Sequence, residues 1–238
     1  MGKRVLTLEV LLSKEIEYML ESEDYKEKQK LPSERELAEY FGVQRLTIRG
    51  ALQILVQKGI LISKERYGYF VAPKRIRFAL NQSQSFKLMI ERMGKTSFVK
   101  LLEFEKMKLT DKLAEKTLLA EGTEMFRILR LRYENKKPIA LEKSYIVCDL
   151  AKGLTEEDVH NKSLYETLKK KYGISVAHSN QRVSVVYANG LEAELLKVSL
   201  SKPMMKYQGL VYEKKGRLVE YFENIMLIER IEFISKRS

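Results

Sequence analysis

The stretch "LPSERELAEYFGVQRLTIRGALQILVQKGIL", residues 31–61, contains two helical patterns separated by a glycine. The first pattern opens at Ser33, and Glu36 completes the Ser-x-x-Glu sequence of a capping box. Gly42 is the type of residue that ends a helix, and the second pattern predicts a helix over residues 44–58. Two helices joined by so tight a turn predict a helix-turn-helix.

The residues on either side of this stretch extend the unit. Apolar residues at helical spacing predict a preceding helix over residues 5–22, whose buried face would hold Val5, Leu8, Leu11, Leu12, Ile16, Met19 and Leu20. The following "ILISKERYGYFVA", residues 60–72, has apolar ends around a polar middle and predicts a β-hairpin with Gly68 near its turn. This order of elements is that of a winged helix-turn-helix, whose third helix enters the DNA major groove.

The start of the third predicted helix carries residues suited to reading DNA. Arg45 and Arg49 are four residues apart and therefore share a face, with Thr47 on the leading turn. Arginine pairs bidentately with guanine, and threonine can contact a base or a phosphate. Ser33 and Arg35, at the start of the second helix, are suited to binding a phosphate.

The charge of the chain favours an anionic partner. The 238 residues include 44 Lys and Arg against 32 Asp and Glu, for a net charge of +12. Between residues 43 and 77, eight basic residues stand against one acidic residue. A single basic residue on a helix more often belongs to its solvated face. The combination with a tight turn, a capping box and a basic hairpin favours a DNA-binding surface.

Length and composition also limit the class of protein to which the chain can belong. The length suits one large domain or two ordinary ones, and a 45% hydrophobic content argues against wholesale disorder. The single cysteine, Cys148, can form no internal disulfide, which fits a cytoplasmic protein. The N-terminus is basic and then apolar, like a signal peptide, but charged residues interrupt it. Because no segment reaches about 18 uninterrupted apolar residues, we expect no membrane association.

A change in pattern divides the chain near residue 80. The segment "APKRIRFALNQSQSFK", residues 72–87, combines a proline, a basic cluster and a polar run, as linkers do. We therefore predict a DNA-binding domain over residues 1–75, a linker over residues 76–84 and a second domain over residues 85–238.

The second predicted domain mixes helices with strands. Period-2 runs predict strands over residues 97–108 and 124–133, and the latter continues into a hairpin around "ENKKP". Arg130 and Arg132 share one strand face, and a three-residue loop would place Arg130 opposite Glu142. Two interpretations stay open: a solvated strand face with a cross-strand ion pair, or a pocket for an anion. Ser163, at the start of a later helix, is suited to binding a phosphate.

Residues 5–72 closely resemble the DNA-binding domain of the GntR family of bacterial transcription regulators. The resemblance implies that Arg35, Arg45, Thr47 and Arg49 touch DNA and that a glycine of the wing enters the minor groove. Gln44 stands where the family usually has a small capping residue, and "RYGYF" has Arg66 and Tyr69 where the family has Gly and Thr in G-x-G-T-F. The predicted DNA-binding residues are Ser33, Arg35, Gln44, Arg45, Thr47, Arg49, Lys64, Arg66 and Gly68.

Residues 85–234 are similar to the UTRA domain of HutC-type GntR regulators. The landmarks include "SF" at 85–86, "SLYETLKKKYGI" and the closing "LVEYFENIMLIERIEF". The resemblance implies a chorismate-lyase-like α+β fold with an antiparallel sheet, a homodimer and an effector pocket. It also implies that Arg130, Arg132 and Ser163 hold an anionic group. The predicted effector-binding residues are Lys87, Arg130, Arg132, Glu142, Ser163, Tyr165 and Glu220.

Together these patterns predict a dimeric transcription regulator, a repressor, that binds double-stranded DNA at a pseudo-palindromic operator. A small anionic metabolite, such as a sugar phosphate, would modulate that binding. Two alternatives stay open: a lyase-like enzyme fused to a DNA-binding domain, and an architectural DNA binder without an effector. His160 and His178 have no placed partner, and no catalytic, metal or cofactor motif stands out. We therefore expect no enzymatic activity and no cofactor.

Overall fold

The computed structural model describes residues 7–23, 25–79 and 86–234. The chain divides into two units, Met1–Lys74 and Arg75–Ser238. Within the described ranges, no helix has the length and apolar character needed to cross a membrane.

The first unit has the predicted order of three helices and a hairpin. Its elements are α1 (Leu8–Ser22), α2 (Glu34–Phe41), α3 (Arg45–Gln57), β1 (Leu61–Lys64) and β2 (Gly68–Val71). The two strands pair antiparallel. The capping box of α2 is confirmed, because the Ser33 hydroxyl accepts from the Glu36 N–H while the Glu36 carboxylate accepts from the Ser33 N–H at 2.7 Å. Gly42 ends α2 in the left-handed region, at a φ of 64°.

One apolar core joins the three helices and the hairpin. Ile16, Leu37, Ile48 and Leu52 are almost completely buried in it. The predicted apolar face of α1 is only partly covered: Leu8 and Leu11 are exposed, whereas Leu12 is buried. Val5 lies outside the described residues.

The second unit is built on a six-stranded antiparallel sheet, as the predicted α+β class requires. Its elements are β3 (Ile76–Ala79), α4 (Phe86–Arg92), β4 (Ser97–Lys108), α5 (Asp111–Thr117), β5 (Glu124–Glu134), β6 (Lys137–Val147), α6 (Glu156–Val159), α7 (Leu164–Tyr172), β7 (Val176–Tyr187), α8 (Gly190–Leu196), β8 (Pro203–Glu213), β9 (Leu218–Leu227) and β10 (Ile231–Ile234). The strand order of the large sheet is β4-β5-β6-β9-β8-β7.

Residues expected to be a linker form part of the second unit. Strand β3 pairs parallel with β10, with Ile76 opposite Ile231, and Ile76 is fully buried. The alternation of apolar Ile76 and Phe78 with basic residues is a strand pattern, and the basic cluster obscured it in the sequence. The remaining residues of the predicted linker, 80–84, and Ser85 of the "SF" landmark lie outside the described ranges.

The hairpin of β5 and β6 has the expected register through a different turn. Asn135 and Lys136 form a two-residue turn, both with positive φ, as the tight turns of hairpins require. An irregularity after Arg132 compensates for the shorter turn, so Arg130 lies opposite Glu142 as predicted.

The register of the sheet gathers polar residues on one face. Arg130, Glu142, Asn224 and Tyr207 lie opposite one another on the consecutive strands β5, β6, β9 and β8. Side chains alternate between the two faces, so residues two positions away in each strand share this face with them. These include Arg132, Ser144 and Phe222, and Glu220 lies a further two positions along β9.

Candidate DNA-binding surface and ligand pocket

Helix α3 presents its first turns on the surface of the first unit. Gln44 occupies the N-cap position, and its side chain makes no capping hydrogen bond. Arg45 and Arg49 are exposed, Thr47 is half-buried, and Ile48 faces the core. The predicted base-reading residues therefore lie on the open side of the helix.

One carboxylate holds both of these arginines. Glu34, at the start of α2, accepts from Arg45 Nε at 2.8 Å. It also accepts from Arg49 Nε at 2.9 Å and from Arg49 Nη2 at 2.8 Å. The hydrogen bonds from Arg49 and Arg45 outweigh partial burial and lower the pKa of Glu34 to about 2. We call Glu34, Arg45 and Arg49 the exposed triad.

The exposed triad was not predicted from the sequence. Glu34 stands 11 and 15 residues before its two arginine partners, beyond the spacing that helical periodicity relates. Tyr69 of β2 also donates its hydroxyl to Glu34, at 3.4 Å. The second helix, the third helix and the hairpin therefore meet at one carboxylate.

The predicted phosphate-binding residues lie at the start of α2. The Ser33 hydroxyl oxygen accepts the capping hydrogen bond, and the Ser33 N–H and hydroxyl both lower the pKa of the Glu36 carboxylate that they bind. The Arg35 side chain is 80% exposed, and its ion pair with Glu39 is long, at 3.8 Å. Arg35 therefore keeps the donors that phosphate binding requires.

The hairpin of β1 and β2 accommodates Arg66, which stands where the family pattern has glycine. Arg66 adopts a φ of 64° and Gly68 a φ of 92°, so the arginine takes a left-handed conformation that favours glycine. Arg66 and Lys64 are both exposed. The Lys64 ammonium lies 4.5 Å from the centre of the Phe70 ring. The tip of the hairpin therefore presents two cations to solvent.

The second unit contains a cavity of about 100 Å³ on the polar face of the large sheet. Strands β5, β6, β8 and β9 form its floor, while Phe78 of β3, Phe86 of α4 and the start of α7 line its other sides. The lining includes the predicted residues Arg130, Arg132, Glu142, Ser163, Tyr165 and Glu220.

Lys87 does not line this cavity, so the structure contradicts its predicted place in the site. Its side chain is 45% exposed, and its ammonium lies 3.8 Å from Glu91. The neighbouring Phe86 is buried and takes the cavity side of α4. Successive helical residues point about 100° apart, which turns Lys87 towards solvent.

Two buried arginines share one carboxylate on the cavity floor. Glu142 binds Arg132 through Nε at 2.5 Å and Nη2 at 3.2 Å, and Arg130 through Nη2 at 3.0 Å. Burial alone would raise the pKa of Glu142, but the charges of Arg132 and Arg130 outweigh it and lower that pKa. We call Arg130, Arg132 and Glu142 the buried triad; it carries one net positive charge.

A second carboxylate on the floor has the opposite pKa shift. Tyr165 donates its hydroxyl to Glu220 Oε2 at 2.6 Å. Burial raises the pKa of Glu220, and hydrogen bonds from Ser144 and Tyr165 only partly offset this. The cavity therefore holds one carboxylate that ionises easily and one that ionises reluctantly.

Three buried polar atoms of the cavity lining have no hydrogen-bond partner among the described residues. They are Arg130 Nε, Gln181 Oε1 and Asn224 Oδ1. Leaving such atoms unpaired costs free energy, so each is a position where a water molecule or a ligand would supply the partner. Ser163, at the N-cap position of α7, makes no capping hydrogen bond with its side chain and also stays available.

Sequence reasoning did not select Gln181, Tyr207 or Asn224. Asn224 was within reach of the period-2 rule, because it follows Glu220 and Phe222 on the same strand face. Tyr207 and Gln181 lie on strands whose pairing with the rest of the sheet is not visible in the sequence.

Comparison with known families matches both units. The UTRA domain matches residues 92–232, and the family described as bacterial regulatory proteins, gntR family, matches residues 12–71. The chain belongs to the GntR family and carries a UTRA domain. Members of this family are transcription regulators, and this GntR-family protein is a DNA-binding regulator with a UTRA effector domain.

Individual relatives extend over most of the chain. The regulator is 29% identical over 204 residues to the transcriptional repressor NagR of Bacillus subtilis, covering 86% of this chain and 84% of NagR. It is 28% identical over 203 residues to MngR of Escherichia coli, the mannosyl-D-glycerate transport/metabolism system repressor, covering 85% and 84%. The crystal structure of PhnF from Mycobacterium smegmatis superposes with a TM-score of 0.75 at 23% identity, covering 95% and 98% of the two chains, which supports the fold.

Proposed function

We propose that this GntR-family regulator is a homodimeric repressor whose operator binding changes when a small polyhydroxylated acid occupies the cavity of the second unit. The observation that carries the ligand part is the buried triad beside three unpartnered polar atoms. The repressor part is supported by NagR and MngR, which are both named as repressors.

The charge of the buried triad supports an acidic group on the ligand. The buried triad retains one positive charge after Glu142 is counted, and Arg130 Nε still needs an acceptor. Ser163 lies on the same cavity wall with an available hydroxyl. A phosphate or carboxylate would satisfy these donors with charge-assisted hydrogen bonds.

The rest of the lining supports a hydroxylated body. The amide oxygens of Gln181 and Asn224 need donors, which sugar hydroxyl groups supply. Phe86, Tyr207 and Phe222 provide aromatic surface for the carbon skeleton. MngR, whose name refers to mannosyl-D-glycerate, is a relative named for a sugar derivative.

Thermal unfolding with a panel of hexose phosphates and sugar acids tests the ligand. We expect at least one compound to raise the midpoint of the wild type and to be recovered unchanged. Ser163→Ala should weaken that response at little cost to stability, because the hydroxyl makes no capping bond. Lys87→Ala is the matched control outside the cavity. An undiminished response in Ser163→Ala and Arg130→Ala would contradict the assignment.

The DNA part of the proposal follows from the open side of α3. Arg45, Thr47 and Arg49 would contact base edges in the major groove, while Ser33 and Arg35 bind phosphates on the flank. Arg66, at the tip of the hairpin, would reach the minor groove, which attracts arginine when it is narrow. Lys64 would bind the phosphate backbone.

An apolar edge of the large sheet supports the homodimer. Strand β7 is an edge strand, and Val183, Val185 and Tyr187 alternate along one face with 39%, 64% and 69% exposure. An exposed apolar edge favours pairing with another chain, and a two-fold dimer would bind a pseudo-palindromic operator. Val185→Lys should lower the dimer fraction in sedimentation equilibrium. An unchanged dimer would place the interface elsewhere.

A further inference from the structure

Glu34 is placed to hold the side chains of the candidate DNA-binding surface in position. Its side chain is 13% exposed, although both arginines that it binds are about half exposed or more. Donors reach it from α3 and from β2, while it belongs to α2 itself. A single carboxylate thus fixes the position of two long, otherwise mobile side chains relative to the hairpin.

The edges used by the two arginines decide what they can still bind. Arg45 meets Glu34 through Nε, and Arg49 meets it through Nε and Nη2. These atoms form the inner edge of a guanidinium group. The outer edge, made by the hydrogens of Nη1 and Nη2 that point away from the chain, is still free to pair bidentately with guanine O6 and N7.

We propose that Glu34 is a positioning residue that holds Arg45 and Arg49 by their inner edges for base reading, and that Tyr69 links the wing to this arrangement. This inference rests on the proposed docking of α3 in the major groove. Tyr69 stands where the resemblance leads one to expect threonine, and its hydroxyl lies at the far end of the ring, within contact of Glu34.

Positioning increases specificity because it removes alternative ways to bind. An arginine that is held before binding loses less rotamer freedom when it meets a base. A freely moving arginine also reaches any nearby phosphate, which strengthens binding to all sequences. The lowered pKa, about 2, keeps Glu34 ionised at neutral pH, so that it pairs with both arginines there.

In the opposite role, Glu34 would compete with DNA for the two arginines and so weaken DNA binding; we call this role the lock. The two roles predict opposite results when the carboxylate is removed. Loss of a lock would tighten binding to the operator, whereas loss of a positioning residue would weaken the preference for the operator over other DNA.

The test measures affinity for an operator duplex, selected from random duplexes by the wild type, and for a scrambled duplex of equal length at one salt concentration. In Glu34→Gln we expect the ratio of the two affinities to fall about tenfold, without weaker binding to scrambled DNA. Glu34→Asp keeps the charge but withdraws the carboxylate by one methylene, and its ratio should fall as well. Tyr69→Phe should lower the ratio by a smaller factor.

Glu39→Gln is the matched control, because it removes the same charge from the same helix and its ion pair is long. Its ratio should stay at the wild-type value. Combining Glu34→Gln with Arg49→Ala should lower the ratio less than the product of the two single effects, since both changes break the same contact. A merely structural role of Glu34 would give independent effects.

The outcomes separate this inference from the docking proposal. If neither Arg45→Ala nor Arg49→Ala changes the ratio, the docking of α3 is wrong. If both lower it while Glu34→Gln and Glu34→Asp keep the wild-type ratio, the positioning role alone is wrong. Tighter operator binding by Glu34→Gln with an unchanged or higher ratio would establish the lock and overturn the positioning role.

Discussion

The two units contain the same chemical group in two different environments. Each has two arginines that share one carboxylate, the exposed triad in the first unit and the buried triad in the second. Arg45 and Arg49 are 64% and 47% exposed, whereas Arg130 and Arg132 are 7% and 5% exposed. Burial alone therefore separates a surface that can meet a macromolecule from a cavity that admits only a small molecule.

Because of these environments, the two triads also contribute differently to the stability of the fold. An exposed ion pair contributes little to folding, because water competes with both partners. A buried pair is costly to break, since the group left behind has lost both its water and its counter-charge. We therefore expect substitutions in the exposed triad to affect DNA binding mainly, and those in the buried triad to affect stability as well.

The largest expected effect is on the stability of the second unit. Glu142→Gln leaves two neighbouring buried arginines without a counter-charge, so the free energy of unfolding should fall by about 3–5 kcal/mol. Denaturant unfolding measures it. Glu124→Gln is a control on the same sheet, because its ion pair with Lys106 is half exposed. A loss in Glu142→Gln no larger than in this control would mean that the arginines are solvated.

The next effect is on sequence preference. Arg45→Ala and Arg49→Ala should each lower the ratio of operator to scrambled-duplex affinity about tenfold or more, because each removes a bidentate base contact. Their unfolding midpoints should fall less than that of Glu142→Gln, because these two arginines are largely solvated. Equal operator preference in both variants, measured by equilibrium binding at fixed salt, would be incompatible with the docking model.

The pH dependence of stability should differ in sign between two carboxylates. The folded pKa of Glu34 is lowered from 4.5 to about 2, so its contribution is present above pH 4.5 and lost as pH falls towards 2. The folded pKa of Glu220 is raised, so stability should fall as pH rises above 4.5 through that pKa.

Unfolding free energies measured against pH in Glu34→Gln and Glu220→Gln separate the two effects. The deficit of Glu34→Gln should shrink as pH falls below 4.5. The wild type should lose stability relative to Glu220→Gln as pH rises above 4.5. A wild-type curve parallel to that of Glu220→Gln would mean that this carboxylate keeps an ordinary pKa.

The smallest expected effect concerns the phosphate backbone. Lys64→Ala should weaken binding to operator and scrambled duplexes alike and reduce the slope of log affinity against log salt by about 1. Titrations at several salt concentrations measure that slope. Loss of operator preference in this variant would indicate that the hairpin reads bases instead of phosphates.

Local rules predicted what depends on neighbouring residues in the sequence. The capping box at Ser33 and Glu36 and the helix end at Gly42 each depend on a few adjacent positions. The pairing of Arg130 with Glu142 followed from a short hairpin. The two interpretations left open for that strand face were a solvated ion pair and a pocket for an anion. The ion pair is present, but it is buried and lines a cavity.

Contacts between distant residues were not predictable in this way. Strand β3 acquires its structure from β10, which pairs with it across 155 residues. The exposed triad depends on how α2 packs against α3, and Lys87 was misplaced because its neighbour Phe86 takes the cavity side. Asn224, in contrast, was predictable, because the alternation that places Glu220 and Phe222 on one strand face also places Asn224 there.

The most direct test of the central claim is operator binding by the full chain, titrated with the hexose phosphate or sugar acid that stabilises it most. Without ligand, Ser163→Ala and Arg130→Ala should bind the operator like the wild type. With ligand, Ser163→Ala should respond more weakly and Arg130→Ala should lose the response. Arg45→Ala should lose operator preference whether or not ligand is present. A full ligand response in both cavity variants, or wild-type operator preference in Arg45→Ala, would contradict the division of labour between the two triads.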